Sequence, residues 1–435
     1  MSAFGVSSRA WSHRSRGSPR LVTWARRRTH RAYPTRSGVT TESLVERIQA
    51  IYDRQRGKIR RDLTGIAHLD KALGFPSRQL RTVVVAGTNG KGTCARTIEA
   101  IARAHGLRTG LFTSPHLSRL NQRFRIDGLE VSDDLLERSI ERVDDGRATF
   151  FELSTALAFD LFARERVDLA VLEVGMGGRW DAVNHSDPEV SVVTSVALDH
   201  QEYLGETLGQ IAGEKLAVAR RSRPLVLGPR MEAYRNQAEA TGANLWLNGT
   251  DWSVDRTSVR SVSVIAQRPE TIQLDMLWDA VATGVAASTC LGLHEQDAVQ
   301  QGLDRLRHPM RGERVGGLLM DAAHNEAAVT ALAGEISHSV DALVSLCSRH
   351  PRVLAPILPV VRRVYVLEAD HPKAVPGTLI SDVLQGLGAE VALVSRDEAL
   401  ALMAEAVGKD QLSLVAFGSI YGLGPLRDAL MGVDA

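Results

Sequence analysis

The sequence predicts an α/β protein with a mostly parallel sheet, covered by helices, in each of two domains. Short apolar runs rich in β-branched residues alternate with amphipathic segments of helical period, a pattern typical of strands joined by crossover helices. A polar segment at residues 295–310 interrupts the alternation, which then resumes. The pattern therefore predicts a larger domain at residues 42–298 and a smaller one at residues 299–435, after a leader at residues 1–41.

The first domain begins with a helical entry over residues 42–73, where apolar residues recur at helical spacing. Buried strands are then predicted at residues 83–86, 107–113, 167–174, 190–198 and 224–227, with helices at residues 93–105 and 153–166. Alternating apolar positions at residues 240–275 predict antiparallel strands at the edge of this domain. A helix containing Ala280, Ala286 and Ala287 leads toward the second domain.

The second domain repeats the alternation on a smaller scale. Strands are predicted at residues 318–320, 342–346, 364–367, 391–394 and 412–416, with helices between them. This spacing predicts a Rossmann-like α/β domain.

Residues 83–93 read VVVAGTNGKGT, in which an apolar run breaks into glycines around Lys91. Such glycines let successive backbone N–H groups turn toward an anion, while the lysine supplies a positive charge. Thr93 is placed to give its hydroxyl to a Mg²⁺ on the phosphates, although the spacing differs from the general G-x-x-x-x-G-K-[ST] form. The lysine and the hydroxyl favour a nucleotide phosphate cradle over a plain strand-to-helix turn, and the first domain is predicted to be of the P-loop type.

The charge of the chain is unevenly distributed. Residues 1–41 carry nine Arg and no Asp or Glu, which leaves 43 basic and 51 acidic residues, a net charge of −8, in the remainder. That remainder lacks the basic excess expected of a nucleic-acid surface. No apolar stretch of the sequence is long enough to cross a bilayer. The composition therefore predicts neither a nucleic-acid partner nor a membrane partner.

The leader is rich in Arg and Ser, as organelle transit peptides are, but a disordered extension or a start codon assigned too far upstream fits equally well. We expect a cytoplasmic protein, or one of the mitochondrial matrix or plastid if the leader is a transit peptide. Cys94, Cys290 and Cys347 have spacings that fit neither a zinc site nor a disulfide framework, which indicates a reducing compartment. Cys94 is interpreted as a packed residue rather than a reactive thiolate.

Polar residues follow two predicted strands of the first domain where each strand ends. Glu173 precedes a glycine-rich turn, and Asp199 with His200 ends the next strand. Because ligands collect at the carboxyl ends of parallel strands, these side chains can face the cradle, where a carboxylate and an imidazole suit a divalent cation. Taken singly, each is explained as well by a turn cap or a structural histidine. Together with the cradle, they predict a metal site.

Six sequence motifs follow one another along the chain. They are GTNGKGT at residues 87–93, SPHL at 114–117, FFELSTALAF at 150–159, LEVGMGGRWDAVN at 172–184, LDHQEYLGETLGQIAGEK at 198–215 and DAAHN at 321–325. In this order they resemble the motifs of the folylpolyglutamate synthase and dihydrofolate synthase family, a branch of the Mur ligases. The resemblance runs from about residue 42 to the C-terminus. It implies a Mur ligase central-type ATP-binding domain followed by a C-terminal glutamate-ligase domain.

The resemblance also implies roles for individual positions. The ATP phosphates would bind to Gly87, Thr88, Asn89, Gly90, Lys91, Gly92 and Thr93. Thr93 and Ser114 would hold one Mg²⁺, Glu173 and His200 would hold a second, and Phe151, Glu152 and Asp181 would line the pterin side of the pocket. In the second domain, Arg311 and Asp321 would meet the nucleotide, and His324 and Asn325 would meet glutamate.

Lys215 on its own would be interpreted as a solvated helix lysine, but it matches the lysine that is carbamylated in this family. The chemistry is coherent, because only a neutral lysine attacks CO₂ and burial lowers the pKa of a lysine.

The implied reaction is ATP-dependent amide formation through an acyl phosphate that L-glutamate displaces. Lys91 and Mg²⁺ would neutralise charge on the transferred phosphoryl group, so Lys91, Lys215 and His200 are the expected catalytic residues. The acceptor would be dihydropteroate, a reduced folate, or both. The expected partners are small molecules, and the protein is expected to be a monomer.

Some segments depart from the family pattern. Residues 275–280 read DMLWDA and residues 345–354 read SLCSRHPRVL, which puts the adenine contacts and part of the second-domain site in doubt. Three other functions are therefore considered against the sequence. A muropeptide ligase would need an additional N-terminal domain that the residues before the cradle are too few to form. A nucleotide-binding protein without ligase activity would account for the altered segments, and a P-loop kinase or GTPase would leave the second domain unexplained.

Overall fold

The computed structural model describes residues 41–53, 60–258, 261–266, 272–274 and 278–432. The predicted leader, apart from residue 41, and half of the DMLWDA segment lie outside these ranges. No helix within them combines the length and the apolar character that crossing a bilayer requires.

In the described part of the chain, an eight-stranded sheet forms the first domain. Its strands are β1 (Thr82–Ala86), β2 (Thr109–Phe112), β3 (Phe124–Ile126), β4 (Leu129–Glu130), β5 (Leu169–Glu173), β6 (Val190–Val193), β7 (Pro224–Leu227) and β8 (Asn244–Leu247). They lie in the order β4-β3-β2-β5-β1-β6-β7-β8. Only the pairs β2–β3 and β3–β4 are antiparallel, so the prediction of a mostly parallel sheet is confirmed.

Helices cover both faces of this sheet. They are α1 (Thr41–Asp53), α2 (Thr64–Ala72), α3 (Lys91–Ala104), α4 (Asp133–Val143), α5 (Phe150–Arg164), α6 (Gln201–Leu204), α7 (Leu208–Leu216), α8 (Arg235–Glu239), α9 (Trp278–Cys290) and α10 (Gln296–Asp304), with 3₁₀ turns at Pro76–Gln79, Leu120–Arg123, Ala182–His185 and Glu232–Tyr234. Successive residues of β1 point to opposite faces: Val84 packs into the core on the side of α5, and Val85 into the core on the side of α3. Burial on both faces explains why the strands are almost continuously apolar.

The antiparallel strands predicted at residues 240–275 are found only in part. Strands β9 (Trp252–Ser258), β10 (Ser261–Ala266) and β11 (Ile272–Leu274) form a separate antiparallel sheet among the described residues. By contrast, β8 pairs in parallel with β7 and extends the main sheet. Its Trp246 and Leu247 pack against opposite faces, as expected of a parallel strand covered on both sides.

The second domain contains a six-stranded sheet within the described ranges, in the order β12-β13-β17-β14-β15-β16. Its strands are β12 (Glu313–Val315), β13 (Leu318–Asp321), β14 (Val340–Ser345), β15 (Val361–Val366), β16 (Glu390–Leu393) and β17 (Leu414–Gly418). Its helices are α11 (Glu326–Gly334), α12 (Gly377–Gly386), α13 (Arg396–Val407) and α14 (Ile420–Leu430), with a 3₁₀ segment at Pro351–Val360. Only β12 is antiparallel, so a second α/β sheet domain is confirmed.

Helix α10 lies where the sequence predicts the domain boundary. Its Val299, and Leu306 just after it, pack into the first-domain core. Gly302 lies so close to α3 that a Cβ there would be 2.8 Å from the Cα of Ile101. This packing favours a boundary between Leu306 and Glu313, later than residue 298.

Candidate active site

The turn between β1 and α3 contains the residues for which the sequence predicts a phosphate cradle. Gly87 has φ +147° and Gly90 has φ +82°, and a Cβ on Gly87 would lie 2.0 Å from the Thr194 hydroxyl. Because only glycine fits such a conformation and such a close approach, the turn requires these residues. Helix α3 then begins at Lys91, two residues before the predicted start, and the N–H groups of its first turn have no intrahelical acceptor.

The segment after β6 holds the cradle in place. The N–H of Thr88 donates to the Ser195 carbonyl at 2.8 Å, and the N–H of Asn89 donates to the Ser195 hydroxyl at 3.0 Å. The Thr194 hydroxyl donates to the Asn89 carbonyl at 2.6 Å. These bonds explain why β6 ends at Val193 rather than at the predicted residue 198. They also leave the first turn of α3, rather than the Thr88 and Asn89 amides, to receive an anion.

Lys91 folds back over the cradle. Its Nζ donates to the carbonyl oxygens of Gly87 and Thr88, each at 3.1 Å. Burial lowers its pKa, and the carboxylate of Glu173 opposes that effect. The ammonium therefore lies where phosphate oxygens would replace the two carbonyl contacts.

Glu173 and Ser114 meet because their strands are neighbours. Glu173 ends β5, pairing with Val85 of β1, and its Oε2 accepts a hydrogen bond from the Ser114 N–H at 3.0 Å. Glu173 is 4% exposed, and burial raises the pKa of its carboxyl group against the attraction of Lys91. Thr93 is also buried, and its hydroxyl lies 2.9 Å from Nδ1 of His308.

His200 and Asp199 lie at the same sheet edge, where they contact the second domain. Asp199 accepts a hydrogen bond from the His200 N–H at 2.9 Å and forms an ion pair with Arg349. Burial alone would raise the pKa of Asp199, but His200 and Arg349 hold it below its usual value. Burial lowers the pKa of His200, whose Nε2 is 3.5 Å from the Arg349 guanidinium. The positive charge of Lys91 lowers the pKa of both His200 and Glu173.

Lys215 of α7 points into this site rather than into solvent. It is 3% exposed, and its Nζ donates to the Gly87 carbonyl at 3.0 Å. Burial, with the like charge of Lys91, lowers its pKa to about 7. Such an amine is neutral in a large fraction of molecules near pH 7 and can act as a nucleophile.

Asp181 and Phe151, predicted on the pterin side, lie next to the turn after β5. The Asp181 carboxylate accepts hydrogen bonds from the N–H groups of Gly175, Met176 and Val183 at 3.0–3.1 Å. Burial nevertheless raises its pKa to about 7. The Phe151 ring packs on Gly175, where a Cβ would approach it to 2.6 Å.

Glu152 has a structural role in this arrangement. Its carboxylate accepts a hydrogen bond from the Thr149 N–H at 2.8 Å, while the Thr149 hydroxyl accepts one from the Glu152 N–H, which forms a capping box at the start of α5. The same carboxylate lies 3.9 Å from the Arg60 guanidinium. The cap uses Oε2, whereas Oε1 is buried and has no hydrogen-bond partner among the described residues. The sequence signal for the cap was the spacing T-x-x-E.

The predicted residues of the second domain cluster at the end of β13. Asp321 accepts a hydrogen bond from the Gly312 N–H at 2.8 Å, and burial raises its pKa against the attraction of Arg311. The His324 ring bonds through Nδ1 to the Ala322 carbonyl at 2.8 Å, and burial lowers its pKa. Asn325 caps α11 and exchanges hydrogen bonds with Asn89 of the cradle, which brings the two domains together at the site.

Two further residues, which no sequence motif indicated, complete the geometry. His308 contacts Thr93 across 215 residues of chain, and Arg349 contacts Asp199 across 150. The only signals available were their positions, next to PMRGE and within the altered SLCSRHP segment.

The site offers donor atoms for a divalent cation, although not a complete protein ligand set within the described ranges. Among the residues described, no three or more His, Cys, Asp and Glu side chains gather as a ready-made metal site. Hydroxyl and carboxylate oxygens from Thr93 and Glu173 nevertheless suit Mg²⁺, which is usually held by one or two carboxylates together with substrate phosphates and waters. The residues therefore fit a metal that arrives with a nucleotide.

Residues 85–267 match the family described as the Mur ligase middle domain. Folylpolyglutamate synthase of Lacticaseibacillus casei is 33% identical over 409 residues, covering 83% of this chain and 92% of the relative. A probable bifunctional folylpolyglutamate synthase/dihydropteroate synthase of Haloferax volcanii is 31% identical over 417 residues, covering 88% of this chain and 50% of the relative. The chain thus spans about half the length of that relative.

Solved structures show the same fold. E. coli FolC in complex with DHPP and ADP superposes with a TM-score of 0.82 at 28% identity, covering 89% of this chain and 98% of the other. The bifunctional folylpolyglutamate synthase/dihydrofolate synthase of Yersinia pestis, complexed with AMPPNP and Mn ion, superposes with a TM-score of 0.79 at 27% identity, covering the same 89% and 98%.

Proposed function

Because this chain belongs to the folylpolyglutamate synthase/dihydrofolate synthase family, we propose that it is an ATP-dependent ligase that adds L-glutamate to dihydropteroate, to reduced folates, or to both. One observation carries the proposal: Lys91, Glu173 and Lys215 surround a phosphate cradle that is hydrogen-bonded to the start of α11 in the second domain. A nucleotide and an amino acid bound on opposite sides of that contact would react at the interface.

The residues of the cradle would bind and orient ATP. The first turn of α3 offers N–H groups to the phosphates, and the Lys91 ammonium neutralises charge on the γ-phosphoryl group. An oxygen of the acceptor carboxylate attacks the γ-phosphorus, and ADP leaves. The glutamate nitrogen then attacks the acyl carbon, inorganic phosphate leaves, and the ammonium protons pass to solvent. Catalysis would rest on positioning and electrostatics, without a protein nucleophile.

We propose that Thr93 and Ser114 hold one Mg²⁺ and that Glu173 and His200 hold a second. Bound Mg²⁺ would supply positive charge to the phosphate oxygens. Thr93 and Glu173 have their oxygen atoms at the cradle in the present arrangement, whereas His200 would have to turn away from Arg349 to become a ligand. The support is therefore stronger for Thr93 and Glu173 than for His200.

Lys215 is proposed to be carbamylated. Its neutral Nζ would attack the carbon of CO₂, an N–C bond would form, and a proton would pass to solvent, leaving an anionic carbamate. Burial, the lowered pKa and the position beside Gly87 support this step. The carbamate would replace a buried cation near Lys91 by an anion, which removes a like-charge repulsion.

The acceptor's ring system is proposed to bind near Phe151, Glu152 and Asp181. An apolar ring and a carboxyl group with a pKa of about 7 provide a packing surface and a hydrogen-bonding group for a pterin. In the second domain, Arg311 and Asp321 are proposed to meet the nucleotide, and His324 and Asn325 to meet glutamate. A monomeric state, a cytoplasmic location and the assignment of ATP binding and glutamate ligation to the two domains remain predictions.

The test is ADP release by the purified full-length chain with MgATP. We expect release only when a pteroate-type acceptor and L-glutamate are both present, and none from Lys91→Met. A panel of dihydropteroate, tetrahydrofolate and their glutamylated forms then identifies the acceptor. ADP release that does not depend on any acceptor would contradict ligase activity. Nucleotide binding without turnover would also contradict it and would favour a binding protein.

A further inference from the structure

His308 lies in the short linker between the two domains, at a point fixed from both sides. Leu306, two residues earlier, packs into the first-domain core, and Met310, two residues later, packs into a second-domain core. The Met310 carbonyl accepts a hydrogen bond from the Ala322 N–H at 2.8 Å, which ties the linker to the second sheet. His308 therefore has little freedom to move unless the domains themselves move.

The imidazole of His308 reaches from this linker into the cradle. Its Nδ1 is 2.9 Å from the Thr93 hydroxyl. A Cβ on Gly92 would lie 3.1 Å from Cε1 of His308 and 3.2 Å from Oε2 of Glu173, so ring and carboxylate lie against the same glycine. The imidazole is thus in the layer of residues immediately behind the proposed metal ligands.

A threonine hydroxyl that gives a lone pair to a cation must direct its hydrogen elsewhere, and that hydrogen requires an acceptor. The Nδ1 of a neutral imidazole is a suitable one. Nδ1 of His308 lies within hydrogen-bonding distance of the Thr93 hydroxyl, at 2.9 Å. A neutral acceptor fixes the hydroxyl rotamer without adding a positive charge to a site that must bind a cation.

We propose that His308 is a positioning residue that accepts the Thr93 hydroxyl hydrogen and thereby directs the Thr93 oxygen toward a divalent cation. The proposal rests on the proposed function only in taking Thr93 as a metal ligand. It also connects the interdomain linker to the metal site, because a shift of the linker would break this hydrogen bond.

The test is the affinity of Mn²⁺ for the ADP-bound, full-length protein, measured by electron paramagnetic resonance of free Mn²⁺. Loss of a group that orients a metal ligand typically costs about 10- to 100-fold in metal affinity. We expect a loss of that order for His308→Leu. The variant His308→Asn offers an amide oxygen close to the position of Nδ1 and should restore most of the affinity. His105→Leu, at the far end of the same helix α3, is the matched control and should bind Mn²⁺ like the parent.

A double-mutant cycle with Thr93→Val separates positioning from packing. If His308 acts through the Thr93 hydroxyl, His308→Leu should cause no further loss of Mn²⁺ affinity in the Thr93→Val background. Equal losses in both backgrounds, or parental affinity in His308→Leu, would overturn the proposal. So would a failure of His308→Asn to recover affinity while remaining folded by circular dichroism. Because Mn²⁺ binding is measured without turnover, absence of ligase activity in the parent would count against the proposed function and leave this test intact.

Discussion

Asn89 and Asn325 form a reciprocal amide pair across the domain interface. The Asn89 Nδ2 donates to Oδ1 of Asn325 at 3.2 Å, and the Asn325 Nδ2 donates to Oδ1 of Asn89 at 2.9 Å. Asn325 also caps α11 by accepting from the Ala328 N–H at 3.0 Å. These two hydrogen bonds, made by the same pair of side chains, therefore hold the phosphate cradle next to the proposed glutamate side.

Asn89→Ala should lower kcat/KM for glutamate by roughly tenfold, because it removes two hydrogen bonds worth about 0.5–1.5 kcal/mol each. It leaves the cap of α11 in place, so the loss in the free energy of unfolding should be limited to the contribution of these two hydrogen bonds. Steady-state kinetics and denaturant unfolding measure the two effects. Asn325→Ala is the comparison, since it also removes the cap and should cost about 1 kcal/mol more in stability. Equal stability of the two variants would show that the cap contributes nothing.

Arg349→Met should destabilise the protein, because it leaves the buried carboxylate of Asp199 without its cationic partner. Hydrogen bonds to charged groups contribute about 1.5–3 kcal/mol, so we expect a loss of that size in the free energy of unfolding. The control is Arg352→Met, at an exposed position three residues later in the same segment. Urea titrations of both variants give the comparison. An Arg349→Met variant as stable as the control would mean that the ion pair has no net effect.

Lys215→Ala should lower kcat on the order of 10²- to 10³-fold, as expected when one group that stabilises transition-state charge is removed. If the missing group is an anionic carbamate, acetate or formate should restore part of the rate. Chloride at the same ionic strength is the control for a nonspecific salt effect. Full activity of Lys215→Ala without additives would contradict the proposed carbamate.

The depressed pKa of Lys215 also predicts a pH dependence of stability. The pKa of Lys215 is about 7 in the folded protein, whereas a solvated lysine, as in the unfolded chain, has a pKa of 10.5. Between these two pH values the unfolded chain therefore binds more protons than the folded protein. The free energy of unfolding of the wild type should therefore rise from pH 7 to about 10.5 relative to Lys215→Met, which has no such group. Urea unfolding in CO₂-free buffers measures the difference. If the free energies of unfolding of the two proteins differed by the same amount throughout this pH range, the pKa of Lys215 would not be lowered by burial as described.

Local sequence patterns were sufficient for most of the architecture. The apolar run before Gly87 predicted a buried strand, and β1 is buried along its whole length. The strand ending in Glu173 was placed correctly because both of its faces are covered. The predicted strand at residues 190–198 was too long because of a tertiary contact. Residues 194–198 are apolar enough for a strand, but this segment forms hydrogen bonds with the backbone of the cradle instead.

The sequence by itself determined the two α/β domains, the glycine turn with its lysine, and the family to which the chain belongs. These depend on short-range periodicity and on motifs whose residues are neighbours in the chain. Only the tertiary structure decided that His308 reaches Thr93, that Arg349 pairs with Asp199, and that Glu152 caps α5 in a buried position. The first two contacts join residues far apart in sequence, and their partners are set by how the domains pack. For Glu152 the capping spacing was visible in the sequence, but only the structure showed that the carboxylate is buried and that the cap uses its Oε2.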